Sequence, residues 1–324
     1  MASTTYLEAI RQGLWEEMER DPNVFLIGED IGVYGGAFKI TAGFYERFGE
    51  KRVVDTPISE AAIVGAAIGA SMFGLRPVAE MQFADFISCA FDQLVNFAAK
   101  CRYRWGAAVP MVVRAPSGGG IHGGPFHSQN PEMWFVRTPG LKVVAPATAY
   151  DAKGLIKSAI RDNDPVLFFE HKGLYRRIKE DLPAGDYTVP IGKAKVVRRG
   201  QDLTVVTYGA MVWTALEAAD QLAKEGVSAE VLDLRTLVPL DRESVCASVR
   251  KTSKVILLHE DTRTGGLAGE LAATITESVF EYLDGPIVRV TAPDTPVPYS
   301  PPLEEAFLPN ADKVVEKARW LLRY

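Results

Sequence analysis

A chain of 324 residues with 47% hydrophobic and 24% charged residues has the makeup of a soluble globular protein and the length for two domains, each with its own core. Its 36 Lys and Arg against 41 Asp and Glu leave a formal charge of −5 with no basic block, which argues against nucleic acid or an anionic membrane as a main partner. Three scattered cysteines (Cys89, Cys101, Cys246) point to free thiols in a reducing compartment, and with no N-terminal signal pattern the expected location is cytoplasmic.

Thr5–Arg20 reads as an amphipathic helix. Short apolar runs follow as strands at Val24–Gly28, Arg52–Asp55, Pro77–Met81, Pro110–Arg114, Leu141–Ala145 and Pro165–Glu170. Helices are predicted between them at Glu60–Gly74, Ala84–Arg104 and Asp151–Arg161, the alternation of a parallel sheet covered on both faces. Ala61 to Gly74 is the longest apolar run. It is too short to span a bilayer and predicts a buried core helix whose Ala and Gly let other backbones come close. The stretch Asp181–Pro190 is punctuated by Pro and Gly and reads as a linker. Beyond it, strands at Leu203–Tyr208, Ala229–Leu232, Lys254–Leu258 and Ile287–Val290 alternate with helices at Val212–Glu225, Arg242–Thr252, Leu267–Phe280 and Ala311–Leu322. The fold class is therefore α/β: two domains, 1–185 and 186–324, each a mostly parallel sheet flanked by helices.

Asp55-Thr-Pro-Ile-Ser-Glu60 carries the strongest chemical signal. Pro57 ends a strand, Ser59 stands where a helix cap belongs, and Glu60 falls at a strand-to-helix corner beside apolar residues. A carboxylate there is costly unless it is hydrogen-bonded or protonated, which suits a group that handles a proton. The loop Ser117-Gly-Gly-Gly-Ile-His122-Gly-Gly-Pro-Phe-His127-Ser-Gln129 follows another strand, and its glycines let the backbone come close to a ligand. It is neither a Walker loop nor G-x-G-x-x-G. Metal ligation by His122 and His127 lacks a third Cys or His nearby; a structural role for both is the alternative to acid/base or substrate-orienting work by at least one. Thr264-Gly-Gly-Leu-Ala-Gly269 lacks dinucleotide spacing, and His259-Glu-Asp261 reads as solvated or as part of an interface. Glu29 ends the first strand and alone would be a surface carboxylate. Gln82 closes a later strand, and Phe83 and Phe86, ordinarily core residues, can shape a pocket with it for a flat ring.

These segments together resemble the β subunit of the decarboxylating component of 2-oxo acid dehydrogenase complexes. The likeness runs along nearly the whole chain. It rests on Gly28-Glu-Asp30, Asp55-Thr-Pro-Ile-Ser-Glu60, Gln82-Phe-Ala-Asp85, Arg102-Tyr-Arg104, His127-Ser-Gln129, Pro139-Gly-Leu-Lys-Val-Val144 and Asp151-Ala-Lys-Gly154. In the later part it continues through Ile160-Arg-Asp-Asn-Asp-Pro165, Leu232-Asp-Leu-Arg-Thr-Leu237 and Asp294-Thr-Pro296. The resemblance implies a transketolase-like pyrimidine-binding domain and a transketolase C-terminal domain. It also implies thiamine diphosphate as cofactor, with Mg²⁺ held mainly by an α subunit in an α2β2 heterotetramer. The sequence agrees on one point: it has no Gly-Asp-Gly followed by an Asn-Asn segment, the usual diphosphate site, so it looks like half of an active site.

Carried over by residue, the resemblance makes Glu60 the partner of the pyrimidine ring nitrogen, driving the amino group to the imino form that activates the thiazolium carbon. Glu29, Ile58, Ser59, Gln82 and Phe86 would line the pyrimidine. Phe86 replaces a tyrosine common in the family. His127 would serve acyl transfer to the lipoyl group, with His122 a weaker candidate, and Phe83, Ala84, Asp85, Phe86 and His127 would meet the substrate. Ala159, Asp162 and Asp164 match a potassium site of some relatives. The second domain would build the β–β contact and dock the dihydrolipoyl acyltransferase core. Gln82–Phe86, Phe126–Gln129 and Phe168-Phe-Glu-His171 look most like the branched-chain 2-oxo acid type, with pyruvate or acetoin as alternatives. A one-subunit transketolase-like enzyme and a non-catalytic assembly subunit are the competing classes; the missing diphosphate motif opposes the first, and Glu60 with His127 opposes the second.

Overall fold

The computed structural model describes residues 3–324, which divide into two compact units: the chain up to Ser117 with Trp134–Ile191, and Gly118–Met133 with Gly192–Tyr324. The division thus falls after Ile191 rather than after residue 185, and the glycine-rich loop groups with the second unit.

In the first unit, helix α1 (Tyr6–Arg20) begins at a capping box: the Glu8 N–H donates to Thr5 Oγ1 at 3.1 Å, and the Thr5 N–H donates to Glu8 Oε2 at 2.9 Å. Six parallel strands follow, β1 (Val24–Glu29), β2 (Val53–Thr56), β3 (Arg76–Glu80), β4 (Val112–Ser117), β5 (Lys142–Val144) and β6 (Val166–His171). Their spatial order is β5-β6-β4-β3-β1-β2. Every residue of β1, β4 and β6 is buried, as expected of central strands covered on both faces. The chain runs from β1 outward to β2 and then back across to β3. The winding reverses between β1 and β3, and the carboxyl ends at such a reversal frame a crevice for ligands.

Two helices depart from their sequence patterns. α2 (Glu60–Met72) buries only one face, through Ile63, Val64, Ala67, Ile68 and Ser71. Ala62 and Ala66 are exposed, Phe73 is 91% exposed, and a Cβ added at Gly65 or Gly69 would touch nothing within 4 Å. The expected core helix is therefore open along its small-residue side. The predicted helix over Ala84–Arg104 is broken into a 3₁₀ stretch (Ala84–Ala90), a π turn (Gln93–Phe97), a second 3₁₀ turn (Ala98–Lys100) and a short α-helix (Cys101–Trp105). Near its start the Ser88 hydroxyl donates to Asp85 O at 2.9 Å, and such side-chain bonds compete with the helical ladder. Helix α3 (Ala149–Arg161) lies against α1, its Arg161 donating to Glu17 Oε1 at 2.6 Å.

In the second unit, β7 (Lys195–Arg198) runs antiparallel at the edge of a sheet otherwise parallel. The order is β11-β10-β8-β9-β7, with β8 at Leu203–Thr207, β9 at Ala229–Asp233, β10 at Val255–Thr262 and β11 at Val288–Ala292. Helices α4 (Met211–Ala223), α5 (Arg242–Thr252), α6 (Leu267–Val279), α7 (Pro301–Phe307) and α8 (Ala311–Leu321) complete it. α4 and α8 close a core of Leu203, Val205, Val231, Ile256, Val314 and Leu321. Among the described residues, no helix is long and apolar enough to cross a membrane.

Candidate functional site

At the reversal in the first unit, Glu29 ends β1 and is 5% exposed, not the surface carboxylate its position alone suggests. Gly28 allows β1 to approach β3, since a Cβ there would stand 2.8 Å from Glu80 O. Gln82, just past β3, donates from Nε2 to Asp30 Oδ2 at 2.6 Å. Ser59 occupies the N-cap position of α2, but its side chain caps nothing. Glu60 is the first helical residue and is half-buried, while Ile58 beside it is 80% exposed, so the corner is open rather than enclosed.

Burial, and secondly the neighbouring Glu60 carboxylate, hold the Glu29 carboxyl above its ordinary pKa, with the Ser59 N–H opposing them. Glu29 Oε1 is buried without a hydrogen-bond partner. An orphaned acceptor of this kind, beside a second carboxylate, suits a ligand that brings N–H donors. The wall nearby is aromatic: Phe83 and Phe86 meet edge-on at 6.1 Å between centroids, and Phe38 packs on Phe83 at 5.5 Å. Ala84 is fully buried and Asp85 nearly so.

The same sheet holds a buried ionic network that no sequence motif announces. Arg114 donates from Nε to Glu170 Oε1 at 2.6 Å and from a terminal nitrogen to Glu170 Oε2 at 2.8 Å, and also pairs with Glu80. The Tyr175 hydroxyl donates to Glu170 Oε2 at 2.8 Å. Desolvation still leaves Glu80 above its ordinary pKa. These residues tie β3, β4 and β6 together, with Glu80 at the carboxyl end of β3.

The second unit holds both loop histidines. His122 takes a left-handed φ of 57°, and its Nδ1 lies 2.7 Å from Glu304 Oε2. Gly119 N–H donates to Glu260 Oε1 at 2.6 Å, and Gly120 N–H to Glu304 Oε1 at 2.9 Å. The glycine-rich backbone therefore gives these amides to carboxylates of its own unit. His259 and Glu260 are buried, at 1% and 6% exposure, and not solvated. His127 follows a 3₁₀ turn (Gly124–Phe126), its N–H donating to Gly124 O at 3.3 Å. Glu132, near the end of the loop, is raised to about 8, chiefly by burial and then by Asp261, which burial raises to about 6.

At Ala159, Asp162 and Asp164, the expected potassium ligands, the structure shows contacts within the chain. Lys142 Nζ donates to both oxygens of Asp162, at 2.8 and 2.6 Å, and Arg102 pairs with Asp164. The Ala159 carbonyl accepts from the Asp162 N–H at 3.3 Å. Among the described residues no group of three or more His, Cys, Asp or Glu side chains is arranged to hold a metal ion. The carboxylates thus meet cations of this chain, because Lys142 and Arg102 fold back onto the α3–β6 turn.

A doubly wound parallel domain with paired carboxylates at its reversal, followed by a smaller α/β unit, defines the transketolase class. Residues 2–178 match the transketolase pyrimidine-binding domain and residues 192–314 the transketolase C-terminal domain. The chain belongs to the transketolase-like family that includes 2-oxo acid dehydrogenase β subunits: it is 54% identical over 329 residues to the 2-oxoisovalerate dehydrogenase subunit beta of Bacillus subtilis (strain 168), covering 100% of both chains. It is 46% identical over 326 residues to the pyruvate dehydrogenase E1 component subunit beta of the same organism, again covering 100% of each. A split-gene transketolase solved as an inactive β4 tetramer shares the fold, with a TM-score of 0.78, 24% identity and 99% of each chain covered.

Proposed function

We propose that this chain is the β subunit of a thiamine diphosphate-dependent 2-oxo acid dehydrogenase of the branched-chain type. It would work with an α subunit as α2β2, decarboxylate 3-methyl-2-oxobutanoate and its relatives, and pass the acyl group to a lipoyl group of an acyltransferase core. The observation that carries this reading is the Glu29–Glu60 pair at the β1–β3 reversal, with one buried carboxylate oxygen unpartnered. Full-length identity of 54% to a branched-chain relative, against 46% to a pyruvate relative, favours the branched-chain substrate.

The site residues fit an aminopyrimidine. Glu60 would hold the ring nitrogen, Glu29 would accept from the amino group, and Ile58, Ser59, Gln82 and Phe86 would bound the ring. When bound, the cofactor supplies the carbon nucleophile and the electron sink for decarboxylation. The protein supplies orientation and the placement of a proton at Glu60. The diphosphate and its Mg²⁺ would rest on the α subunit. The open side of α2, exposed Ile58 and exposed Phe73 support a partner subunit over this face. His127 would serve acyl transfer, and the three unpaired thiols support a cytoplasmic setting.

The test is Glu60→Gln in the assembled enzyme. A proton-transfer group lost without loss of fold lowers decarboxylation roughly 10²-fold or more. Wild-type decarboxylation in that variant would sink the assignment.

A further inference from the structure

A cavity of about 540 Å³ lies wholly within the second unit, between α8 and β11, the edge strand of that unit's sheet. That is the size of sites for small organic ligands. Arg263, Arg289, Lys317, Arg319 and Arg323 line it, against a single acid, Glu316. In a chain with a net charge of −5, so many cations around one cavity form a local field of the opposite sign.

The cations come from three elements. Arg263 directly follows β10, and Arg289 sits on β11. Glu316, Arg319, Trp320 and Arg323 are spaced i, i+3, i+4 and i+7, so one side of α8 and the residues just past its end turn to the cavity. Cations at the end of a helix suit its dipole, which accounts for Arg319 and Arg323 without a ligand. The dipole gives no such reason for Arg263 and Arg289. These two exchange hydrogen bonds: each donates from a terminal nitrogen to the other's main-chain oxygen at 3.3 Å. Carbonyls, not carboxylates, thus hold two like charges at the same cavity.

The remaining charges are partly matched. Lys317 pairs with Glu316 at 2.8 Å, and Arg319 with Glu225 at 2.6 Å. Asp294 acts electrostatically on Arg263, but its oxygens accept from the Thr264 N–H at 2.8 Å and the Thr264 hydroxyl at 2.7 Å. Among the described residues, Arg289 and Arg323 form no ion pair. Trp320 adds an aromatic surface to the lining: it is 43% exposed and meets Tyr324 at 5.1 Å between centroids, which braces the indole.

We propose that this cavity binds a nucleoside polyphosphate, with Arg263, Arg289 and Arg323 on the phosphates and Trp320 stacked on the base. Guanidinium forks match phosphate oxygens two at a time, and an aromatic face stacks on any base. A simple carboxylate would use the arginines and leave Trp320 without a role. The site makes no use of the carboxylate pair in the first unit, and it stands whether or not the chain is a 2-oxo acid dehydrogenase β subunit.

The experiment is calorimetric titration of the full chain, alone and assembled with its α subunit, with ATP, inorganic triphosphate and adenosine as probes. Thiamine diphosphate and Mg²⁺ are kept saturating, so that the cofactor site is closed to the probes. ATP should bind saturably, triphosphate more weakly and adenosine not at all. Arg289→Gln and Arg323→Gln should each weaken ATP and triphosphate roughly 10-fold. Trp320→Leu should weaken ATP roughly 10-fold and leave triphosphate unchanged. Arg323 lies past the end of α8, so Arg323→Gln decides the matter even where Arg289→Gln disturbs the contact with Arg263. Absence of saturable ATP binding, equal affinity in wild type and both arginine variants, or an unchanged ATP affinity in Trp320→Leu would overturn the proposal. Binding by the chain alone that vanishes on assembly would overturn it too, because a partner then covers the cavity. Saturable binding in a complex that decarboxylates no 2-oxo acid would leave the proposal standing and sink the functional reading.

Discussion

Arg114→Met removes the cation that sits between Glu80 and Glu170, all three of them buried. The two carboxylates keep their burial and lose the charge that offsets it. Taking away one side of a buried ionic cluster costs about 3–5 kcal/mol. For a domain of 150–250 residues each kcal/mol lowers Tm by about 2–4 °C, so the first unit should melt roughly 6–20 °C earlier. Glu80 already has a pKa raised by desolvation, with Arg114 as the main opposing influence. A carboxyl raised in the folded state contributes stability below its unfolded pKa and loses it as pH rises through the folded value. Without Arg114 that rise grows, so the deficit should be small near about pH 5 and large near about pH 8. Thermal melts of both proteins at the two pH values measure it. A variant within ~1 kcal/mol of wild type, or a deficit that ignores pH, would refute the reasoning. The triple change of Arg114, Glu80 and Glu170 to methionine should recover much of the loss, because an apolar cluster of similar volume needs no counter-charge.

Other consequences follow from single side chains. His127→Ala should leave the fold intact and cut lipoyl acylation roughly 10²-fold, read in the complete reaction; an unchanged rate would return His127 to a structural role. Glu132, at about 8 in the fold against an ordinary 4.5, contributes stability that is present below about 4.5 and lost as pH rises through about 8. Glu132→Gln should therefore raise Tm relative to wild type near about pH 9 and change it little near about pH 5; equal effects at both would contradict the burial argument. Gly124 has a φ of +66°, and a Cβ there would run into the Tyr299 ring. Gly124→Ala should cost about 1–3 kcal/mol of strain in the second unit, visible by denaturant unfolding, and a neutral result would mean the loop shifts freely.

The alternation of apolar runs and helices was legible along the sequence because central parallel strands are buried on both faces and read as short, mostly apolar runs. The Glu60 corner was legible because Pro57, Ser59 and the helix start are neighbours in sequence. What stayed hidden depends on distance along the chain. Arg114 meets Glu80 and Glu170, 34 and 56 residues away, and Glu304 reaches the glycine loop across 182 or more. Neither pairing leaves a local pattern. The break in the helix after Phe83 was missed because the segment reads as one continuous run, while a local bond such as Ser88 to Asp85 O competes with the helical ladder. The open side of α2 was missed for a related reason: a small-residue run looks the same whether its own chain or another covers it.

The central claim is that this chain is half of a branched-chain 2-oxo acid decarboxylase. Its most direct test is to co-express the chain with its candidate α subunit and measure thiamine diphosphate-dependent decarboxylation of 3-methyl-2-oxobutanoate against pyruvate, with each subunit alone as control. Activity only in the assembled complex, with a clear preference for the branched substrate, is the predicted result. Full activity in this chain alone, or none in the complex with any 2-oxo acid, would contradict it.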